Sequence, residues 1–236
     1  MTINNFTPLP ERLKKKISEK KRNRFFNSAF FLDEIIRWGK TLFLGLAIFF
    51  IIFVYNFLKF GSVTVSVLNR TIASTSVIII GLSFALSGIC YFWDFADRLI
   101  FYRKHLGVIG FFFVSLHVFI SLFLLPGRSG FVYWLTVEFG PFIFGFAAFL
   151  IFLLMAIISN QFSIHKLGGK TWRRLMHFGY LAYIFIIIHI ILVSGLYFRV
   201  FPPAFHIITI FLAILVLVLR VSIEFVKMKR QHQSQK

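Results

Sequence analysis

Charge is scarce in this chain. Only 14% of its 236 residues are Asp, Glu, Lys or Arg, whereas an ordinary soluble domain carries about a quarter. A chain so poor in charge is not built to meet water over most of its surface. Cysteine is scarcer still. The single Cys90 excludes an internal disulfide and any multi-cysteine metal or iron–sulfur site, and its apolar surroundings mark it as a small buried side chain. Phosphate-cradling loops are also missing. No Gly-x-Gly-x-x-Gly and no Walker-type loop occurs, and no soluble segment is long enough for a flavin or nicotinamide domain. The one close glycine pair, Gly168-Gly169, reads as a turn among basic residues.

What is present is long apolar runs. Six spans, at about 41–58, 71–93, 106–127, 139–160, 175–198 and 200–219, hold no Asp, Glu, Lys or Arg. A helix needs about 20 such residues to cross a bilayer. Lipid offers the backbone no hydrogen-bond partners, so helices are the expected form, and the runs lack the alternation of a membrane barrel. All six prolines fall outside the spans or at their ends, where a missing amide hydrogen matters least. The expected fold is an all-α integral membrane protein with six transmembrane helices occupying 41–225. A basic N-terminal tail over 1–40 precedes it, in which residues 25–40 read either as a short interfacial helix or as aromatic filler. A basic tail over 226–236 follows.

The formal charge of +18 would suggest nucleic acid in a soluble protein. Here the cations flank apolar runs, and the positive-inside rule accounts for them without a nucleic-acid partner. With the N-terminus inside, 22 of the 26 Lys and Arg residues lie on the cytoplasmic side and only Lys59, Arg70, Arg128 and Arg199 lie outside. Both termini are therefore expected in the cytoplasm, in a multi-pass bacterial inner-membrane protein. The N-terminus does not read as a cleavable signal, because about forty polar, basic residues precede the first apolar run.

Histidine is the chemistry-bearing residue. His117 and His189 lie deep in the third and fifth spans, which run in the same direction, and they sit at similar depth. An ionisable residue inside a membrane marks a functional candidate. Two imidazoles at one level could ligate a heme iron. Alternatively, each could bond a neighbouring hydroxyl or backbone carbonyl, within a proton-relay channel or a scaffold without redox activity. His105 and His177 stand twelve residues earlier, at the basic edges of the same two spans. They are candidates for a second heme, about 18 Å away at 1.5 Å per residue. Twelve residues also turn a helix by about 120° net, which does not favour two hemes on one face. His165, His206 and His232 read as ordinary interfacial or loop residues. The absence of acidic residues from the spans counts against a transporter.

Two stretches carry a resemblance. RKHLGVIGFFFVSLH, ending at His117, and LGGKTWRRLMHFGYLAYIFIIIH, ending at His189, resemble the third- and fifth-helix signatures of the ferric reductase-like transmembrane family. The closest likeness is to the heme-b membrane subunits of bacterial periplasmic methionine-sulfoxide reductase systems. The resemblance implies a six-helix core over about 41–225 and heme b held by His117 and His189. It further implies electron transfer from a cytoplasmic flavin or NAD(P)H dehydrogenase, or a quinol, to an extracytoplasmic reductase or ferric iron. A flavin nucleotide is a further candidate cofactor. Where the family usually carries another histidine in the fifth helix, this chain has Met176, with His177 one place later. His105 occupies a slot that is usually apolar.

Overall fold

The computed structural model describes the backbone of residues 11–127, 130–197 and 204–234, and the side chains of 31–127, 130–160, 162–193, 207–229 and 232–233. Residues 1–10 of the expected tail and the side chain of His206 lie outside that description. The chain divides into two units, 1–40 and 41–236. Within the first, residues 11–40 are helical throughout, where a tail was expected, with either a short helix or aromatic filler over 25–40. Glu34 and Arg37, one turn apart, approach to 4.0 Å.

All the described structure is helical. Helix α1 runs Glu11–Phe60 and α2 runs Val65–Phe92, followed by a 3₁₀ segment, Asp94–Tyr102. Helix α3, Arg103–Phe119, ends in a π turn over Ile120–Leu124. The short α4, Phe131–Thr136, leads into α5, Phe139–Ile158. A second short helix, α6 at Gln161–Leu167, precedes α7, Gly169–Tyr197, and α8, Ala204–Ser234. Among the described residues, six helices are long and apolar enough to cross a membrane, as the apolar runs imply. The 3₁₀ segment, α4 and α6 were not anticipated, because their lengths are too small to show a periodicity.

The outer surface is apolar. Phe43, Leu58 and Phe211 are 75%, 76% and 68% exposed, a distribution suited to lipid rather than water. The centre of the bundle is α2. Inside the structure lies 61% of its apolar window, against 17–28% for the other five spans. It packs on α3 and α8, while α5 packs on α7. Its Thr64 cap accepts from the Val67 amide at 3.2 Å.

The interior of α2 is lined with small hydroxyl residues, which let neighbouring helices come close. Each must find a partner within the protein. Thr71 donates back to the Val67 carbonyl at 2.9 Å and Thr75 to that of Thr71 at 2.8 Å. Asn56 of α1 donates to Thr71 Oγ1 at 3.0 Å, Ser83 to the Arg103 carbonyl at 2.8 Å, and Tyr183 of α7 to the Val77 carbonyl at 3.2 Å. These bonds tie α1, α3 and α7 to the central helix. Ile80, Phe84, Phe152, Tyr183 and Val216 fill the space between α2, α5, α7 and α8.

Gly110 marks a close approach of α2 and α3. A Cβ there would stand 2.5 Å from Ile80 Cγ1 and 3.2 Å from the Ile80 amide nitrogen. The second of these is backbone and cannot swing away. Gly110→Val should therefore destabilise the bundle by about 1–3 kcal/mol, the usual range for overpacking. Thermal unfolding in detergent should show a lower midpoint than the parent. An unchanged midpoint would mean that the two helices pack more loosely than described.

Candidate functional site

Between the helices lies a cavity of about 650 Å³, within the range of about 300–1,000 Å³ typical of ligand sites. His117 from α3 and His189 from α7 both line it, with Asn69, Gly145, Phe149 and Phe152. One nitrogen of each ring is engaged. His117 Nδ1 lies 2.9 Å from Asn69 Oδ1, and His189 Nδ1 lies 2.7 Å from the Pro141 carbonyl oxygen. A carbonyl oxygen only accepts, so Nδ1 carries the proton in both rings. Nε2 is then left with the lone pair that a metal takes.

This is the arrangement that metal-ligating histidines adopt, with the second ring nitrogen fixed by an acceptor. It is equally the hydrogen bonding expected of a histidine that is merely satisfied. Both rings border one cavity.

Gly145 makes room for His189. A Cβ on Gly145 would stand 2.8 Å from Nδ1 and 3.0 Å from Cε1 of that ring. At the far end of the cavity Lys59 and Arg70 line the wall, with Glu138 and Trp134 nearby. The Arg70 guanidinium also lies 5.3 Å from the Phe60 ring centre.

The edge histidines are placed differently. His105 is 2% exposed, with Nδ1 3.0 Å from the Phe101 carbonyl oxygen. His177 is exposed, its Nε2 3.3 Å from Arg220 Nη2 and its ring 6.4 Å from that of Tyr180. A second cavity of about 310 Å³ opens near that end, lined by Arg103, Lys104, Trp172, Met155 and Met176. Neither edge histidine lines it. His105 and His177 are thus not brought to a common cavity. The one-residue offset at Met176 turns the methionine inward and His177 toward α8. Phe152 forms a wall of both cavities. No group of three or more His, Cys, Asp or Glu side chains suited to a metal ion occurs among the described residues.

A family model described as "Ferric reductase like transmembrane component" matches residues 70–187. The chain belongs to that family. Half of the sequence is matched, from Arg70 through α2, α3 and α5 and most of α7, with His117 inside the match and His189 two residues beyond it. A ferric reductase-like chain of this kind is a membrane protein with a suggested role in electron transfer. It is also similar to "Magnetosome protein MamZ" of Magnetospirillum gryphiswaldense, at 33% identity over 100 residues. That alignment covers 40% of this chain and 15% of the relative's length.

Sequence reading passed over Asn69, Pro141 and Gly145. Asn69 falls one residue before Arg70, outside the uncharged interval. A lone asparagine so close to a span was a usable signal. The Pro141 carbonyl and the absent side chain of Gly145 carry no local signature, because their roles come from the packing of α5 on α7.

Gly145→Val should push the His189 ring off the Pro141 carbonyl. The purified variant should then unfold at a lower temperature in detergent than the parent while eluting at the same volume on size exclusion. An unchanged midpoint would mean that Gly145 does not confine the His189 ring.

Proposed function

We propose that the chain is a b-type cytochrome subunit of the membrane, holding one heme between α3 and α7 through Nε2 of His117 and His189. The observation that carries this reading is the pair of imidazoles on one cavity, each with Nδ1 already committed to an acceptor. Heme iron, when bound, supplies one-electron chemistry by alternating between ferric and ferrous states.

The remaining work belongs to the protein. His117 from α3 and His189 from α7 would hold the iron, each in a fixed tautomer. Phe146, Phe149 and Phe152 line the cavity and keep its dielectric low, which is one of the levers on a heme potential. Lys59 and Arg70 on the same cavity would hold the two propionates by charge pairing. The cations Arg103 and Lys104 lie instead on the smaller cavity. Phe152 is a wall that the two spaces share.

Orientation rests on the distribution of Lys and Arg, which favours both termini in the cytoplasm of a bacterial inner-membrane protein. In that orientation the Lys59–Arg70 end faces outward and the Arg103–Lys104 end faces the cytoplasm. Electrons would enter from a cytoplasmic flavin or NAD(P)H dehydrogenase, or from a quinol, and leave to an extracytoplasmic reductase or ferric iron. A periplasmic methionine-sulfoxide reductase is one such acceptor, on the strength of the signatures in the third and fifth helices. A flavin nucleotide would belong with the donor. His105 and His177 have no ligand role in this reading.

The protein purified after growth with ample heme should give a reduced-minus-oxidised spectrum with a sharp b-type band. A pyridine hemochrome assay should return about one heme per chain. His117→Ala or His189→Ala should abolish the band, whereas His105→Leu and His177→Gln should keep it. A colourless parent protein, or a band surviving both alanine substitutions, would overturn the assignment.

A further inference from the structure

The two ring bonds are not equivalent. His189 leans on a backbone carbonyl, which no substitution at Pro141 removes. His117 leans on a side chain, and that side chain is itself held. Asn69 is 7% exposed, its Oδ1 faces His117 Nδ1 at 2.9 Å, and its Nδ2 donates to Ser121 Oγ at 2.9 Å. The second bond holds the amide in place, and rotating it would set an N–H against the histidine N–H and lose the bond to the ring.

Ser121 is held in turn by the π turn that follows α3. A π turn looks for the amide hydrogen of residue i+5. For Ser121 that residue is Pro126, which has none. The carbonyl is satisfied instead by the indole N–H of Trp134 on α4, at 3.1 Å. Ser121, one turn beyond His117 and within that segment, sets its hydroxyl against Asn69.

We infer that Asn69, locked by Ser121 in the π turn, is the positioning residue of His117 and sets the strength of its bond to iron. This rests on the heme reading above. A hydrogen bond accepted from Nδ1–H raises the basicity of Nε2 and fixes the ring plane. A more basic axial ligand favours ferric iron and holds the midpoint potential down. Because the partner of His189 is main chain, side-chain control of the potential sits on the α3 side of the heme.

Redox titration of the purified protein tests this. Asn69→Leu should raise the midpoint potential and change the low-spin EPR g-values, because the His117 ring loses its orienting bond. Ser121→Ala leaves the oxygen of Asn69 in place but frees its amide to rotate, and should raise the potential by a smaller amount. This milder variant carries the test if Asn69→Leu loses its heme. Ser83→Ala removes a comparable bond from α2 to the Arg103 carbonyl, away from the larger cavity, and should leave potential and g-values unchanged. Heme-loaded Asn69→Leu and Ser121→Ala proteins with the parent potential and g-values would overturn the inference, as would an equal shift in Ser83→Ala. A colourless parent would instead defeat the heme assignment itself.

Discussion

The structure depends on one constraint: in the hydrocarbon of a membrane, every polar group must find its partner inside the protein. That rule explains the back-bonded hydroxyls of α2 and the Tyr183 bond to the Val77 carbonyl. It also governs the two histidines. A neutral imidazole has one donor and one acceptor nitrogen, and the protein satisfies only the donor in each case, through Asn69 and the Pro141 carbonyl. Both rings line one cavity.

The same constraint shapes the cavity's surroundings. Small residues on α2 and Gly110 on α3 bring those helices close, and Gly145 of α5 leaves room for the His189 ring. Bulk then returns as phenylalanine on the cavity wall. Gly110 stands where α2 and α3 touch, and Phe146, Phe149 and Phe152 stand on the cavity wall.

Much of this was legible in the sequence. The six spans follow from the uncharged runs, because excluding charge from hydrocarbon is a strong and local requirement. The pairing of His117 with His189 followed from similar depth in two parallel spans, and both do line one cavity. The symmetric role for His105 and His177 was less well founded. Twelve-residue spacing puts an edge histidine on a different helix face from its midpoint partner, and the structure separates them accordingly. The helical character of residues 11–40 was hidden by their charge, which resembles that of an unstructured tail. The Asn69–Ser121–Trp134 chain was hidden for a different reason. It joins residues up to 65 positions apart through a π turn, and nothing in a linear pattern announces such a turn.

The account therefore turns on which two atoms would hold the iron. Met176 faces the smaller cavity, apart from the one that His117 and His189 line, so a histidine–methionine pair is the arrangement this account excludes. Near-infrared magnetic circular dichroism of the oxidised protein separates the two, because the charge-transfer band reports the axial ligand pair. The account predicts a bis-histidine signature, unchanged in Met176→Leu. A histidine–methionine signature, or one that changes when Met176 is replaced, would contradict it.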